Sequence, residues 1–209
     1  MKAVSTERPV RVLAIAGSLR RASYNRLLLE AAAESAPPAV SVTLYDDLAA
    51  IPLFDEDLEL VTDGGPPSVH TLRALVAAAD GILFSTPEYN QSIPGVLKNA
   101  IDWLSRPGPA AAGAVEVLDG KPVAVVGASS GPWGTRLAQS AARQVLWATG
   151  AVVLGSPTLF VREAARLFDD RGRLVHEGTR ERLAGLLDDF GRWIRMAGAA
   201  AGDQVVRAS

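Results

Sequence analysis

Three short stretches of the chain combine small polar residues with glycine or proline, and each directly follows an apolar run. They are GSLRRASYN at 17–25, TPEYNQSIPG at 86–95 and ASSGPWGTR at 128–136. Hydroxyls, amides, an arginine and accessible backbone N–H groups suit the recognition of a phosphate and a planar heterocycle. The sequence therefore predicts ligand binding at these stretches.

The first stretch has the composition of a phosphate-binding loop. It precedes a predicted helix, whose N-terminus presents unpaired N–H groups and partial positive charge. Ser18, Ser23 and Asn25 add polar side chains, and Arg20 adds a cation. Neither a GxxxxGK loop nor a GxGxxG loop is present here, which excludes two common phosphate motifs. In the alternative, structural interpretation, Ser23 or Asn25 only caps the helix and Arg20 is solvated.

The second stretch lies between two prolines, which restrict its backbone and can hold polar groups ready for the edge of a ring. Pro87 is followed by Glu88, Tyr89 and Asn90, and the tyrosine could stack on a heterocycle. In the alternative interpretation, Glu88 and Asn90 cap the helix that follows and Tyr89 is half-buried. Both interpretations make this stretch a stiff turn.

The third stretch places Ser129, Ser130 and Gly131 directly after a buried run. Small residues let a backbone approach a ligand closely. An SSG sequence alone is weak evidence, so its significance depends on where the fold places it.

Strand and helix patterns alternate along the chain and determine that placement. Apolar or alternating runs predict strands at 10–17, 40–46, 81–85, 122–128 and 151–155, and helical spacing predicts helices between them and at 179–196. This alternation predicts an α/β fold with a five-stranded parallel sheet and helices on both faces. Ligands bind beyond the carboxyl ends of such strands, so the three stretches are expected to meet there.

Length and composition exclude several other classes of protein. The 209 residues suit a single domain, 1–209, with a core at about 10–196 and a flexible tail at 197–209. The chain has no cysteine and two histidines, so we predict no metal site. The net charge of −2 argues against a nucleic-acid partner. No signal-like or membrane-spanning run is evident, so we expect no membrane partner and a cytoplasmic location.

Taken together, the three stretches resemble the NADPH-dependent FMN reductase family, and the resemblance runs from about Val10 to Gly150. It is carried most strongly by PEYN and IPGVLKNAIDW within 87–103, and the C-terminal stretch at 168–194 resembles the family's closing helix. The resemblance implies a flavodoxin-like three-layer fold and an FMN cofactor. Family members often have two glycines where this chain has Trp133 and Gly134, so the outer pocket is expected to differ in shape.

The resemblance also assigns flavin contacts to individual residues. The matching residues are Ser18, Arg20, Ser23 and Asn25 for the phosphate, Pro87, Glu88, Tyr89 and Asn90 for the ring and ribityl chain, and Ser129, Ser130 and Gly131 for the third loop. Leu19, within the first loop, is also expected to contact the cofactor. No catalytic side chain is implied, because the flavin itself performs the redox chemistry.

The implied activity is FMN-dependent NAD(P)H oxidoreduction with ping-pong order. Hydride would pass from NADPH or NADH through FMN to a quinone-like or other small-molecule electron acceptor. One alternative is a flavodoxin-type electron carrier without its own NAD(P)H turnover, although 18 arginines and a net charge of −2 give it little support. Another is the same fold binding a different phosphorylated ligand. Related reductases are dimers or tetramers, and Trp103 and Trp147 lie on predicted helices, so we expect a homodimer or homotetramer.

Overall fold

The computed structural model describes residues 8–110 and 113–208, with side chains described as far as Gly198. In chain order the elements are β1 (Val10–Ala16), α1 (Tyr24–Glu34), β2 (Val40–Tyr45), α2 (Glu56–Val61), α3 (Pro67–Ala78), β3 (Gly81–Ser85), α4 (Gly95–Leu104), β4 (Pro122–Ala128), α5 (Arg136–Ala148), β5 (Val152–Val153), β6 (Leu159–Val161) and α6 (Glu177–Ala208). Short 3₁₀ turns lie at Leu48–Ala50 and Ala164–Arg166.

The strands form one parallel sheet in the order β2, β1, β3, β4, β5, and β6 also pairs with β4. This confirms the predicted α/β fold with five parallel strands and adds a sixth. β5 pairs with the start of β4 at Val123, and β6 pairs with its end at Ala128. Pro157 lies between the two short strands and has no N–H to continue the ladder. The strand predicted at 151–155 is therefore shorter than expected, and β6 is a further strand that lies beyond the predicted range.

Helices cover both faces of the sheet, as alternating residues of β1 illustrate. Val12 and Ala14 belong to the apolar core that includes α1 and α6, whereas Leu13 and Ile15 belong to the core that includes α3, α4 and α5. Strands that are apolar on both faces are typical of a parallel sheet covered in this way. The two cores hold the strand ends rigidly and thereby position the loops that follow them.

Two helical segments differ from the sequence prediction. The connection after β2 contains α2, which the charged sequence there does not reveal as an amphipathic pattern. α6 continues to Ala208, past the end predicted at Met196, through an alanine-rich segment of high helix propensity. The flexibility of the tail stays a prediction. None of the helices in the described residues is long and apolar enough to cross a bilayer.

Candidate functional site

The loops after β1, β3 and β4 meet at the carboxyl edge of the sheet and enclose a cleft of about 190 Å³, here called the three-loop cleft. It is lined by Ser18, Arg20, Ser23, Tyr24, Asn25, Pro87, Glu88, Tyr89, Ala128, Ser129 and Ser130. Most of the predicted contact residues therefore lie together. Leu19, Asn90 and Gly131 do not line the cleft.

The first loop, residues 17–23, presents hydrogen-bond donors at the start of α1. Ser23 is the N-cap, and its Oγ accepts a bond of 3.4 Å from Arg26 N, so the capping interpretation of this residue is correct. Its hydroxyl hydrogen is still available to a ligand. None of the described residues accepts a hydrogen bond from the N–H groups of Tyr24 or Asn25. Free N–H groups at a helix N-terminus make an anion site.

Arg20 is held at the rim of the cleft rather than extended into solvent. Its Nε donates a bond of 3.0 Å to the carbonyl oxygen of Ala22, and Nη2 donates to the same oxygen. The guanidinium also lies 5.4 Å from the centre of the Tyr24 ring. An arginine has five N–H donors, so others are left for a phosphate.

The Asn25 side chain forms hydrogen bonds within the protein that the phosphate prediction did not include. Its Nδ2 donates 3.0 Å to Ala128 O, and its Oδ1 accepts from Ala128 N and from Ser85 Oγ, each at 2.9 Å. Three of the four bonds that this amide can form are thus made within the protein. Asn25 therefore ties the first loop to the ends of β3 and β4, and one N–H is left for a ligand.

The second loop, residues 86–94, is a tight hairpin turn. Tyr89 and Ser92 exchange two backbone hydrogen bonds of 3.0 Å, and Asn90 and Gln91 between them have φ values of 50° and 65°. This is the pattern of a type I′ turn, which asparagine tolerates well. Asn90 therefore lies at the exposed tip and shapes the loop. Tyr89 is 51% exposed at the mouth of the cleft.

Glu88 caps a helix, as the structural interpretation supposed, but the helix is α5 and not α4. Its Oε2 accepts bonds of 2.9 Å from Leu137 N and 3.1 Å from Ala138 N. The residue at the N-cap position of α5, Thr135, forms no side-chain cap. The carboxylate of Glu88 therefore replaces the missing cap and joins the second loop to the start of α5.

The third loop, residues 129–135, is anchored to the segment that follows β6. Ser129 N donates to Val161 O at 3.0 Å, Ala164 N to Ser129 O at 2.9 Å, and Glu163 N to Gly131 O at 3.1 Å. Gly131 thus contributes an anchoring carbonyl. Within the described residues, the N–H groups of Ser130 and Gly131 have no acceptor and are available to a ligand.

A left-handed residue other than glycine lies in the third loop, and another lies in the segment that anchors it. Thr135 has a φ of 63° and Glu163 a φ of 48°, conformations that side chains other than glycine adopt at a cost. Gln139, one turn into α5, donates from Nε2 to Thr135 Oγ1 at 3.2 Å and to Leu159 O at 3.0 Å. This side chain links the threonine to β6.

Gly127 is a packing position next to the site that the sequence analysis missed. A Cβ on this residue would lie 2.1 Å from Thr135 Oγ1 and 2.4 Å from Thr86 O. Only glycine fits where the ends of β3 and β4 meet the start of α5. A glycine inside an otherwise β-branched strand is a recognised sign of such close approach.

Large apolar side chains are exposed on the first loop, on the third loop and at the start of α5. Leu19, Trp133 and Leu137 are each at least half exposed, Trp133 to 72%. Leu19 was expected to contact the cofactor, but it does not line the cleft. Exposed apolar and aromatic surface on these segments suits a flat ring.

Comparison with known proteins identifies the family. A family model described as NADPH-dependent FMN reductase matches residues 10–166. The chain belongs to this family. It is 42% identical over 186 residues to an NAD(P)H-dependent FMN reductase of Pseudomonas aeruginosa, covering 89% of this chain and 96% of the relative. It is 37% identical to a 2-hydroxy-1,4-benzoquinone reductase of a Burkholderia species, covering 89% and 97%.

A solved structure extends the similarity to the fold. A flavoenzyme NAD(P)H:(acceptor) oxidoreductase from Paracoccus denitrificans superposes with a TM-score of 0.79 at 33% identity, covering 90% of this chain and 98% of that one. The flavodoxin-like architecture and the membership in the FMN reductase family are both confirmed.

The chemistry of the cleft fits FMN. Free N–H groups, two hydroxyls and a guanidinium at the start of α1 match a terminal phosphate. The cleft volume of about 190 Å³ is below the ~300 Å³ of a typical ligand pocket. The cleft would therefore hold part of the cofactor, such as its phosphate and ribityl end, and not all of it. Among residues 8–110 and 113–208, no His, Asp or Glu side chains group as metal ligands.

Proposed function

We propose that this protein is an FMN-dependent NAD(P)H oxidoreductase whose three-loop cleft holds the flavin. The observation that carries the proposal is the set of unpaired N–H groups at the start of α1 and in the third loop, in a chain of the FMN reductase family. Relatives named as FMN and quinone reductases favour this function over a flavodoxin-type electron carrier.

Each loop has a distinct part in holding the cofactor. Ser18, Ser23 and Arg20 bind the phosphate together with the first-turn N–H groups of α1. Pro87 and Tyr89 would contact the ring. The N–H groups of Ser130 and Gly131 would donate hydrogen bonds to it and so stabilise negative charge. FMN, when bound, accepts hydride from the nicotinamide and passes electrons to the acceptor.

The acceptor we propose is a small quinone-like molecule. One relative is named a 2-hydroxy-1,4-benzoquinone reductase and several others are named quinone reductases. Tyr89 lines the cleft and Trp133 lies on the third loop, and both side chains expose flat aromatic surface, which suits a planar acceptor. Donor and acceptor would use the same face of the ring in turn.

We also propose that the protein is a cytoplasmic homodimer or homotetramer. Leu53, Leu60 and Val61, on and before α2, are each about 80% exposed, as is Trp147 on α5. Leu60 and Val61 are neighbours in the chain, and adjoining exposed apolar residues are found at association surfaces. NAD(P)H is an intracellular reductant, which supports the cytoplasmic location.

The test combines a spectrum with steady-state kinetics of the purified protein. We expect flavin absorbance bands, release of FMN on denaturation, and NADPH or NADH oxidation that depends on an added benzoquinone. Parallel double-reciprocal lines at varied donor and quinone concentrations are expected for alternating use of one face. Bound FMN without turnover would identify an electron carrier. A protein that neither contains nor binds FMN would refute the cleft assignment.

A further inference from the structure

Tyr24 lines the three-loop cleft beside Arg20, yet the family resemblance and the proposed flavin contacts give it no role. It is the first residue of α1 and is partly buried. The guanidinium of Arg20 lies over its ring, 5.4 Å from the ring centre. This is within the ~6 Å at which the face of an aromatic ring attracts a cation. Tyr24 therefore contacts the cation that we assign to the phosphate.

Arg20 needs such a contact because it is exposed on the first loop. A long, exposed side chain loses rotamer freedom when it binds a ligand, and that loss weakens binding. Two contacts already restrict Arg20 in the protein alone. Its Nε and Nη2 donate to Ala22 O, and its guanidinium lies over Tyr24. Less freedom is then left to lose when an anion binds.

The contact with Tyr24 and a bond to phosphate are compatible. A guanidinium meets an aromatic ring through its flat face and donates hydrogen bonds from its edge. Within the described part of the chain, Nη1 of Arg20 donates no hydrogen bond, since the two bonds of the side chain come from Nε and Nη2. Tyr24 can therefore hold the arginine in place while the edge of the guanidinium binds an anion.

The Tyr24 ring is itself supported by a second aromatic residue. It stacks on Phe168, with the ring centres 5.8 Å apart and the ring planes at 30°. Phe168 is buried in the core that includes α1 and α6, and it pairs with Leu174 in an isolated β-bridge. Phe168 thus connects Tyr24, and through it Arg20, to the core.

The turn that follows Phe168 packs closely on α1. A Cβ on Gly172 would lie 2.8 Å from Cδ2 of Leu27, one turn into the helix. Asp169 fixes the same turn, because its Oδ1 accepts a bond of 2.8 Å from Arg173 N. The position of the Phe168 ring beside the first turn of α1 is therefore determined by packing and hydrogen bonds on both sides of it.

We propose that Tyr24 is a positioning residue for the FMN phosphate, because its ring, supported by Phe168, keeps the guanidinium of Arg20 at the cleft. The proposal rests on the proposed function, since it concerns the phosphate of FMN bound there. The face of the ring produces the effect, so phenylalanine can replace tyrosine but an aliphatic side chain cannot. Riboflavin lacks the phosphate, and its binding should not depend on the contact.

The test measures flavin affinity by fluorescence titration of the full-length apoprotein. An exposed cation–π contact corresponds to roughly a 2- to 5-fold change in affinity, so Tyr24→Leu should weaken FMN binding by that factor. Riboflavin affinity should stay the same, which also shows that the variant is folded. Tyr24→Phe should bind FMN as the unsubstituted protein does.

The same substitution in an Arg20→Ala background separates positioning from a general effect on α1. Without the guanidinium, Tyr24→Leu should weaken FMN binding no further, whereas a merely structural role would give the same factor in both backgrounds. Phe54→Leu is the matched control. Phe54 also lies between an arginine, Arg106, and a second aromatic ring, but it does not line the cleft. This variant should bind FMN and riboflavin normally.

Four results would overturn the proposal. They are an unchanged FMN affinity in Tyr24→Leu, the same FMN loss with and without Arg20, the same loss for FMN and riboflavin, and a loss in Tyr24→Phe as large as in Tyr24→Leu. The last result would assign the effect to the hydroxyl and not to the ring. Failure of the proposed function is seen separately, as an unsubstituted protein that binds neither flavin.

Discussion

The bond between Glu88 and the start of α5 predicts a measurable dependence of stability on this one carboxylate. Replacing an N-cap side chain by alanine costs about 0.5–2 kcal/mol. Glu88 accepts two N–H bonds with a charged oxygen and α5 has no other side-chain cap, so we expect the upper part of that range, about 1–2 kcal/mol. For a chain of this size, each kcal/mol lowers the unfolding midpoint by roughly 2–4 °C.

The assay follows the protein without flavin, so that cofactor binding does not mask the loss. Glu88→Ala should unfold about 2–8 °C lower. The amides of Leu137 and Ala138 should exchange hydrogen faster, because they lose their acceptor. FMN should also bind more weakly, since the second loop is no longer tied to α5. Glu88→Gln keeps a neutral acceptor and should show about half of the loss.

Glu181→Ala provides the control for charge and composition. Glu181 is exposed on α6 and has no ion-pair partner among the described residues. Its substitution should leave the unfolding midpoint and the two α5 amides unchanged. If Glu88→Ala matches this control in both measurements, the bond to α5 contributes nothing and the argument is wrong.

Four further substitutions, of which Gly131→Ala is a control, test other parts of the structure. Arg20→Ala should weaken FMN binding by about 10-fold in a fluorescence titration. This is the lower end of the range for losing a charged hydrogen bond, because the residue is exposed. An unchanged affinity would exclude Arg20 from the phosphate site. Gly127→Ala should destabilise the fold by more than about 2 kcal/mol in urea unfolding, whereas Gly131→Ala, whose Cβ would meet nothing nearer than 4.0 Å, should be tolerated. Hydrogen bonds from Arg8 hold the pKa of Asp80 well below its usual range, so its contribution to stability is full above about pH 4 and is lost as the pH falls further. Asp80→Asn should therefore flatten the acid side of the stability curve, and an unaltered slope below pH 4 would contradict this.

The sequence predicts the sheet and the meeting of the three loops because both follow from local patterns. β1, β3 and β4 are continuous apolar runs, and parallel strands bring their carboxyl ends to one edge. The sequence also allows the N-cap at Ser23 to be predicted, because capping depends on residues only three positions apart.

The contacts that hold the loops together could not be predicted in this way. Glu88 bonds to residues about 50 positions later, and Asn25 bonds to Ala128, 103 positions away. A carboxylate or an amide in a polar loop has the same appearance in the sequence whether it meets a ligand or another loop. Gly127 did carry a signal, because a glycine inside a strand often marks close approach, although its partners depend on the tertiary fold.

The left-handed conformations at Thr135 and Glu163 bear on attempts to transplant this site. Holding a residue other than glycine there costs about 1–3 kcal/mol, so the isolated segment would not adopt this shape by its own preference. Gln139, Gly127 and the bonds to β6 impose it. Copying residues 129–135 into another flavodoxin-like scaffold would therefore transfer their sequence without their conformation. A successful graft would have to carry the start of α5 and the segment around β6 along with the loop.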